Sequence, residues 1–146
     1  MDAFRETLDK YSLEVRRVAH NILGLMSLNL GLEYDKLINI FKEVQSARIN
    51  YYPPCPHAEK VLGLSPHSDA VGLTLLLQVS EVQGLQIRRK GGWISVKTIP
   101  GAFVVNIGDM LEVIIKVLSC NKGIRIILGH NMNYVTLWNL WFRERY

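Results

Sequence analysis

Gly63-Leu64-Ser65-Pro66-His67-Ser68-Asp69, followed by Gly72-Leu73-Thr74-Leu75-Leu76-Leu77-Gln78-Val79, decides how this chain reads. The second part is a short apolar run bounded by turn-forming and polar residues, which is the pattern of a strand. The first part ends in His-x-Asp. On extended backbone, residues i and i+2 project to the same side. An imidazole nitrogen and a carboxylate oxygen so placed can hold adjacent positions on one metal ion. That pair suits Fe(II) when one more His completes it and open positions remain for substrate and O₂. The bare tripeptide is also common at strand ends and in surface turns, so its weight must come from its neighbours.

Downstream, residues 85–88, 93–99 and 102–107 read as further strands, with Gly91-Gly92 as a hairpin turn. Upstream, residues 48–52 read as a strand halted by Pro53-Pro54-Cys55-Pro56, and residues 61–64 as another short β run. Short strands at close spacing suggest a sandwich or barrel. The start of the chain has a different period. Phe4, Leu8, Tyr11, Val15, Val18, Ile22 and Leu25 alternate in steps of four and three, which places them on one face of a helix. Such a face predicts a core helix packed on a sheet, with Asn29-Leu30-Gly31 as its stop. Residues 33–43 read as a second helix with Leu37, Ile40 and Phe41 inward. Gly108-Asp109 reads as turn chemistry, with Asp109 bonding local backbone. The expected class is mainly β with N-terminal helices (α+β). The expected parts are a helical lead at 1–45, a β domain at 46–115 and a divergent tail at 116–146. That tail holds a candidate strand at 124–128 and the aromatic run Trp138-Asn139-Leu140-Trp141-Phe142.

Bulk properties narrow the function classes. With 146 residues, 49% hydrophobic and 21% charged, the chain can bury a sizeable core in one domain of ordinary size. The net charge of +4 could suggest nucleic acid. Its distribution argues against that partner: residues 1–115 carry 12 basic and 12 acidic side chains, and the excess lies wholly in the tail. The apolar stretch at 22–32 is too short to span a bilayer, so no membrane role is expected. No signal-peptide pattern opens the chain, and two cysteines make no disulfide framework or zinc spacing. A reducing, cytoplasmic setting is the expectation.

The neighbours of the His-x-Asp do carry weight. Arg48-Ile49-Asn50-Tyr51-Tyr52-Pro53-Pro54-Cys55-Pro56, then Gly63 to Asp69, then Leu73-Thr74-Leu75-Leu76-Leu77-Gln78 resemble the plant Fe(II)/2-oxoglutarate-dependent dioxygenases. The likeness is strongest to the branch with senescence-related and codeine-demethylase-like enzymes; flavonol and anthocyanidin synthases are related to it. Gly84-Leu85-Gln86-Ile87, Gly92-Trp93-Ile94 and Phe103-Val104-Val105-Asn106-Ile107-Gly108-Asp109 come next as family landmarks in family order. The resemblance covers about residues 3 to 114, and several ordered motifs together are specific. It implies a double-stranded β-helix, a jelly-roll form with Fe(II) at its mouth and 2-oxoglutarate as co-substrate. It also implies hydroxylation, desaturation or demethylation of a small-molecule substrate in plant metabolism. His67 and Asp69 match the first two iron ligands, and Asn50 and Tyr52 match polar positions that contact 2-oxoglutarate.

The resemblance also sets an expectation for the chain beyond Asp69. A third ligand, a His, is expected about fifty residues later, with an Arg-x-Ser close behind it to pair the far carboxylate of 2-oxoglutarate. Neither can be placed in residues 115–146. His130 is the only histidine after Asp69, and no Arg-x-Ser comes after it. The expectation is a truncated form with an incomplete jelly roll, impaired activity and weakly held iron. Its uncovered sheet edge would favour self-association. The alternative is a non-catalytic pseudoenzyme or interaction fragment.

Overall fold

The computed structural model describes residues 2–42, 45–80, 82–89 and 91–121. The candidate strand at 124–128, the aromatic run at 138–142 and His130 lie outside these residues. The described elements are α1 (Asp2–Asn29), α2 (Lys36–Phe41), a 3-10 turn (Ala58–Lys60), β1 (Leu73–Leu77), β2 (Gln86–Arg89), β3 (Gly92–Ser95), β4 (Phe103–Ile107) and α3 (Asp109–Asn121). They fall into two compact units. One holds the described residues up to Ile49 together with α3 from Ile115; the other holds Asn50–Ile114.

In the first unit, α1 stops where the sequence predicts. Gly31 takes φ +64°, the Gly31 N–H donates to Leu28 O (2.9 Å) and the Leu32 N–H to Ser27 O (3.0 Å). These two bonds satisfy carbonyls that the helix end would otherwise orphan, and glycine takes the left-handed position without a Cβ penalty. The chain then turns into α2. Ser27, fully buried, joins the two helices: its hydroxyl donates to Leu23 O (2.9 Å) and accepts from the Leu37 N–H (3.1 Å). Leu37 lies in the first turn of α2, where N–H groups have no partner within the helix, and Asp35 before it makes no side-chain capping bond. Ser27 therefore caps α2 from the neighbouring helix. Leu23, Leu30 and Leu37 are buried with it.

The buried face of α1 differs from the predicted one. Phe4, Tyr11, Val18 and Leu25 are exposed, Phe4 at 68% and Leu25 at 59%, while Leu8, Val15 and Ile22 are half-buried. In α2, Leu37 is inward as expected, but Ile40 is exposed. The physical reason is the joint itself. Once the Ser27 side of α1 receives α2, the covered face tracks that contact rather than the most apolar row.

The second unit is built on two antiparallel pairs. β1 pairs with β4, with Leu73 opposite Ile107 and Thr74 opposite Asn106. β2 pairs with β3, with Ile87 opposite Ile94 and Arg88 opposite Trp93, and Gly91 takes φ +81° in the turn. Three of the predicted strands stand at or near their predicted limits, while β3 ends four residues sooner, at Ser95. Two predicted strands are absent. Residues 48–52 and 61–64 have no strand structure, and among the described residues no strand pairs with either. Strand propensity measures fit to a sheet neighbour and produces no ladder without one. Proline at 53, 54, 56 and 66 removes donors from the same region. One helix was not expected: α3 runs through Ile115 without interruption, with Leu111, Ile115 and Ser119 buried at intervals of four.

Candidate metal centre

His67-Ser68-Asp69 lies in an irregular segment just before β1. Its backbone is held by the end of β4 and the start of α3. The β1–β4 ladder continues past its last pair, with the Gly108 N–H donating to Gly72 O (2.9 Å) and the Asp109 N–H to Asp69 O (2.8 Å). Ser68 Oγ donates to Asp109 Oδ2 (2.7 Å). Gly108 is required for this approach: a Cβ there would overlap the Val71 carbonyl oxygen and stand 2.7 Å from that of Asp69. The expectation that Asp109 bonds local backbone is therefore corrected. Its partners lie 40 and 41 residues back, because the β1–β4 pairing brings the two segments together.

The side chains converge. His67 Nε2 and Asp69 Oδ1 are 3.6 Å apart. Two donors each about 2.1 Å from one ion can stand at most about 4.2 Å apart, so this pair can share an ion. His67 Nδ1 is 2.8 Å from Ser65 O. A carbonyl can only accept, so Nδ1 is the donor here, which leaves Nε2 as the ring nitrogen facing Asp69, the orientation a metal-ligating His takes. The other oxygen of Asp69, Oδ2, is 3.4 Å from Asn106 Nδ2. Asn106 is buried, at 6% exposure, within the apolar run of β4. Among the described residues no group of three or more His, Cys, Asp or Glu side chains could hold an ion.

The other two predicted site residues lie earlier in the chain. Asn50 and Tyr52 belong to the irregular segment after residue 45, and Asn50 is exposed. Tyr52 is half-buried, and desolvation pushes its phenol above the usual value of 10.0, so it keeps its proton and can donate through neutral pH. His20 is half-buried in α1 and His57 lies 3.5 Å from Glu59 at the surface. Sequence reasoning gave no role to Asn106. The available signal was one amide in the run Phe103-Val104-Val105-Asn106-Ile107, where a polar side chain at a sheet position implies a specific partner.

Known proteins share this arrangement of elements. Residues 43–122 match the family model of the 2OG-Fe(II) oxygenase superfamily. A curated relative, Protein SRG1 of Arabidopsis thaliana, is 52% identical over 114 residues, which is 76% of this chain and 32% of the relative. Oxoglutarate-dependent flavonoid 7-O-demethylase 1 of Ocimum basilicum is 49% identical over 112 residues, 76% of this chain and 30% of the relative. The crystal structure of JOX2 in complex with 2OG, Fe and JA matches with a TM-score of 0.69 at 38% identity, covering 92% of this chain and 38% of that one. The chain spans about a third of the length of these relatives. The fold expectation holds: a long helix precedes part of a double-stranded β-helix. Among the described residues no helix is long and apolar enough to cross a membrane.

Proposed function

Because the chain belongs to the 2OG-Fe(II) oxygenase superfamily, we propose that it carries part of the active centre of an Fe(II)/2-oxoglutarate-dependent dioxygenase of plant small-molecule metabolism. His67 and Asp69 are its two iron ligands, and Asn50 and Tyr52 are polar contacts for 2-oxoglutarate. In this reading residues 1–45 lead into an oxygenase part at 46–115, and residues 116–146 form a divergent tail. The observation that carries it is the 3.6 Å approach of His67 Nε2 to Asp69 Oδ1 with Nδ1 anchored on Ser65.

Each residue has a definable task. Iron with 2-oxoglutarate supplies, when bound, the oxidising power for hydroxylating, desaturating or demethylating a small organic substrate. His67 offers Nε2 because the bond to Ser65 fixes its tautomer and ring plane. Asp69 offers Oδ1 and brings the negative charge that offsets the cation. The Tyr52 phenol, held protonated, and the Asn50 amide would each offer a hydrogen-bond donor to bound 2-oxoglutarate. The protein's part is binding and orientation.

Two donors from the described residues make a weak site, since losing even an outer partner of a metal ligand costs roughly 10- to 100-fold in affinity. The 146 residues are therefore proposed to bind Fe(II) weakly and turn over slowly. Titration of Fe(II) or Co(II) into the purified chain, with His67→Ala and Asp69→Ala alongside, tests the ligands. Equal binding by all three chains sinks the assignment. Succinate release at the rate of full-length relatives sinks the claim of slow turnover.

A second reading, a non-catalytic interaction fragment, is favoured by one observation. Phe4, Tyr11, Val18 and Leu25 recur every seven residues along α1 and are all exposed. Light scattering showing association with rising concentration, in the absence of bound metal, would support it; a monomer at all concentrations would count against it.

A further inference from the structure

We propose that Asn106 is a positioning residue of the metal centre: its amide engages Asp69 Oδ2 and so aims Oδ1 at the ion shared with His67. The inference rests on the reading of Asp69 as an iron ligand. Nothing in that reading requires Asn106, which lies 37 residues away on β4.

Two separate constraints act on Asp69. Its main chain is fixed without Asn106, by the Asp109 N–H on Asp69 O (2.8 Å) and the Gly108 N–H on Gly72 O (2.9 Å). Those bonds do not restrict rotation of the carboxylate about its terminal torsion, which is broad and two-fold. Two side chains stand close to that carboxylate: His67 at Oδ1 (3.6 Å) and Asn106 at Oδ2 (3.4 Å). At 3.6 Å, His67 Nε2 lies beyond hydrogen-bond range of Oδ1 and does not hold it by a hydrogen bond. Asn106 donates to Oδ2, and that contact selects Oδ1 as the oxygen that faces the histidine.

Burial points the same way. A polar side chain at 6% exposure is costly unless bonded. The amide also has the right chemistry. It gives one N–H to a ligating carboxylate without adding a charge that would compete for the cation, and such outer partners fix ligand geometry and basicity.

The test uses the whole 146-residue chain with Co(II), whose visible absorption reports coordination. Asn106→Ala and Asn106→Leu, which keeps the bulk and removes the donor, are expected to weaken Co(II) binding roughly ten- to a hundredfold. Both should alter the absorption spectrum, while hydrogen exchange at the Gly108 and Asp109 amides stays slow. Should alanine lose that protection, Asn106→Ser keeps a small polar side chain on the strand and replaces it. Wild-type affinity and an unchanged spectrum in a variant that keeps its protection would overturn the proposal and leave His67 and Asp69 standing as ligands. If the wild type itself takes up no Co(II), the ligand reading fails, and a metal-free measurement decides for Asn106. Its side-chain amide resonances shift on Asp69→Ala if the contact orients Asp69, and unmoved resonances overturn it.

Discussion

Two places in this molecule use the same pair of residue types, a glycine under a close neighbour and a serine hydroxyl bridging two elements. At the α1–α2 joint the pair is Gly24 and Ser27. A Cβ on Gly24 would meet the ring of Tyr34, whose hydroxyl donates to Asn21 Oδ1 (3.2 Å). At the candidate metal centre the pair is Gly108 and Ser68, and a Cβ on Gly108 would meet the Val71 carbonyl. The roles are reversed between the two. Ser27 is fully buried and serves two backbone groups, whereas the bond from Ser68 to Asp109 is exposed. Gly24 faces a side chain that can turn aside, whereas Gly108 faces main chain held on both sides by hydrogen bonds. What an identical motif contributes depends on what its neighbour can do in response.

The sharpest way to break that contrast is Gly108→Ala. The added methyl has no flexible atom to displace, so the loop at 69–72 must leave β4. A loss of about 3 kcal/mol is expected, the upper end of ordinary overpacking. A thermal melt reads the stability, and the metal titration reads the loss of the His67–Asp69 pair. A variant as stable as wild type would show that the loop yields, and the distinction between the two glycines would collapse.

Ser27→Ala comes next. It leaves the Leu37 N–H buried without its acceptor, and α2 without a cap. A cost of about 1–3 kcal/mol is expected for a buried donor left unpaired. Urea denaturation measures it, and metal affinity is expected not to change, because the residue touches only the helical joint. A shift in Co(II) affinity would contradict the assignment of Ser27 to that joint.

The contrast also shows why the sequence was legible in some places and silent in others. Strands β1, β2 and β4, with the hairpin turn at Gly91, were readable because alternation, apolar runs and glycine are local signals. The stop of α1 at Gly31 was readable for the same reason. The covered face of α1 was not. The row Phe4-Tyr11-Val18-Leu25 is the more regular one, yet burial went to Leu23, Ser27 and Leu30 because α2 returns there. Helix α3 escaped because Val113-Ile114-Ile115-Lys116-Val117 is rich in β-branched residues, which carry no strong helix signal, while its buried residues Leu111, Ile115 and Ser119 keep helical spacing. At the site, His67 and Asp69 were found through ordered motifs on either side. Asn106 was seen as a landmark without a task and Gly108-Asp109 as turn chemistry, since their partners are about forty residues away and pairing across β1–β4 is not written in any local pattern.

Gly24→Ala gives a smaller effect whose sign is instructive. Alanine favours a helix interior over glycine by about 1 kcal/mol. Against this, the methyl displaces the Tyr34 ring and the single exposed hydrogen bond to Asn21. The two nearly cancel, and a net change within about 1 kcal/mol is expected by thermal melt. A loss as large as that of Gly108→Ala would mean that Tyr34 is as fixed as backbone.

Ser68→Ala should give the least. The bond it removes is short, 2.7 Å, but it is exposed and water replaces it. The main-chain bond from Asp109 to Asp69 O remains, so the loop keeps its position. Stability is expected to change by under about 0.5 kcal/mol, as for surface substitutions generally. Co(II) affinity is expected to fall far less than in Asn106→Ala, because Ser68 touches neither donor atom. The pair of titrations therefore separates two explanations of the site. If Ser68→Ala equals Asn106→Ala in affinity, what matters is holding the loop as a whole. If only Asn106→Ala weakens binding, what matters is the direction in which one carboxylate oxygen points.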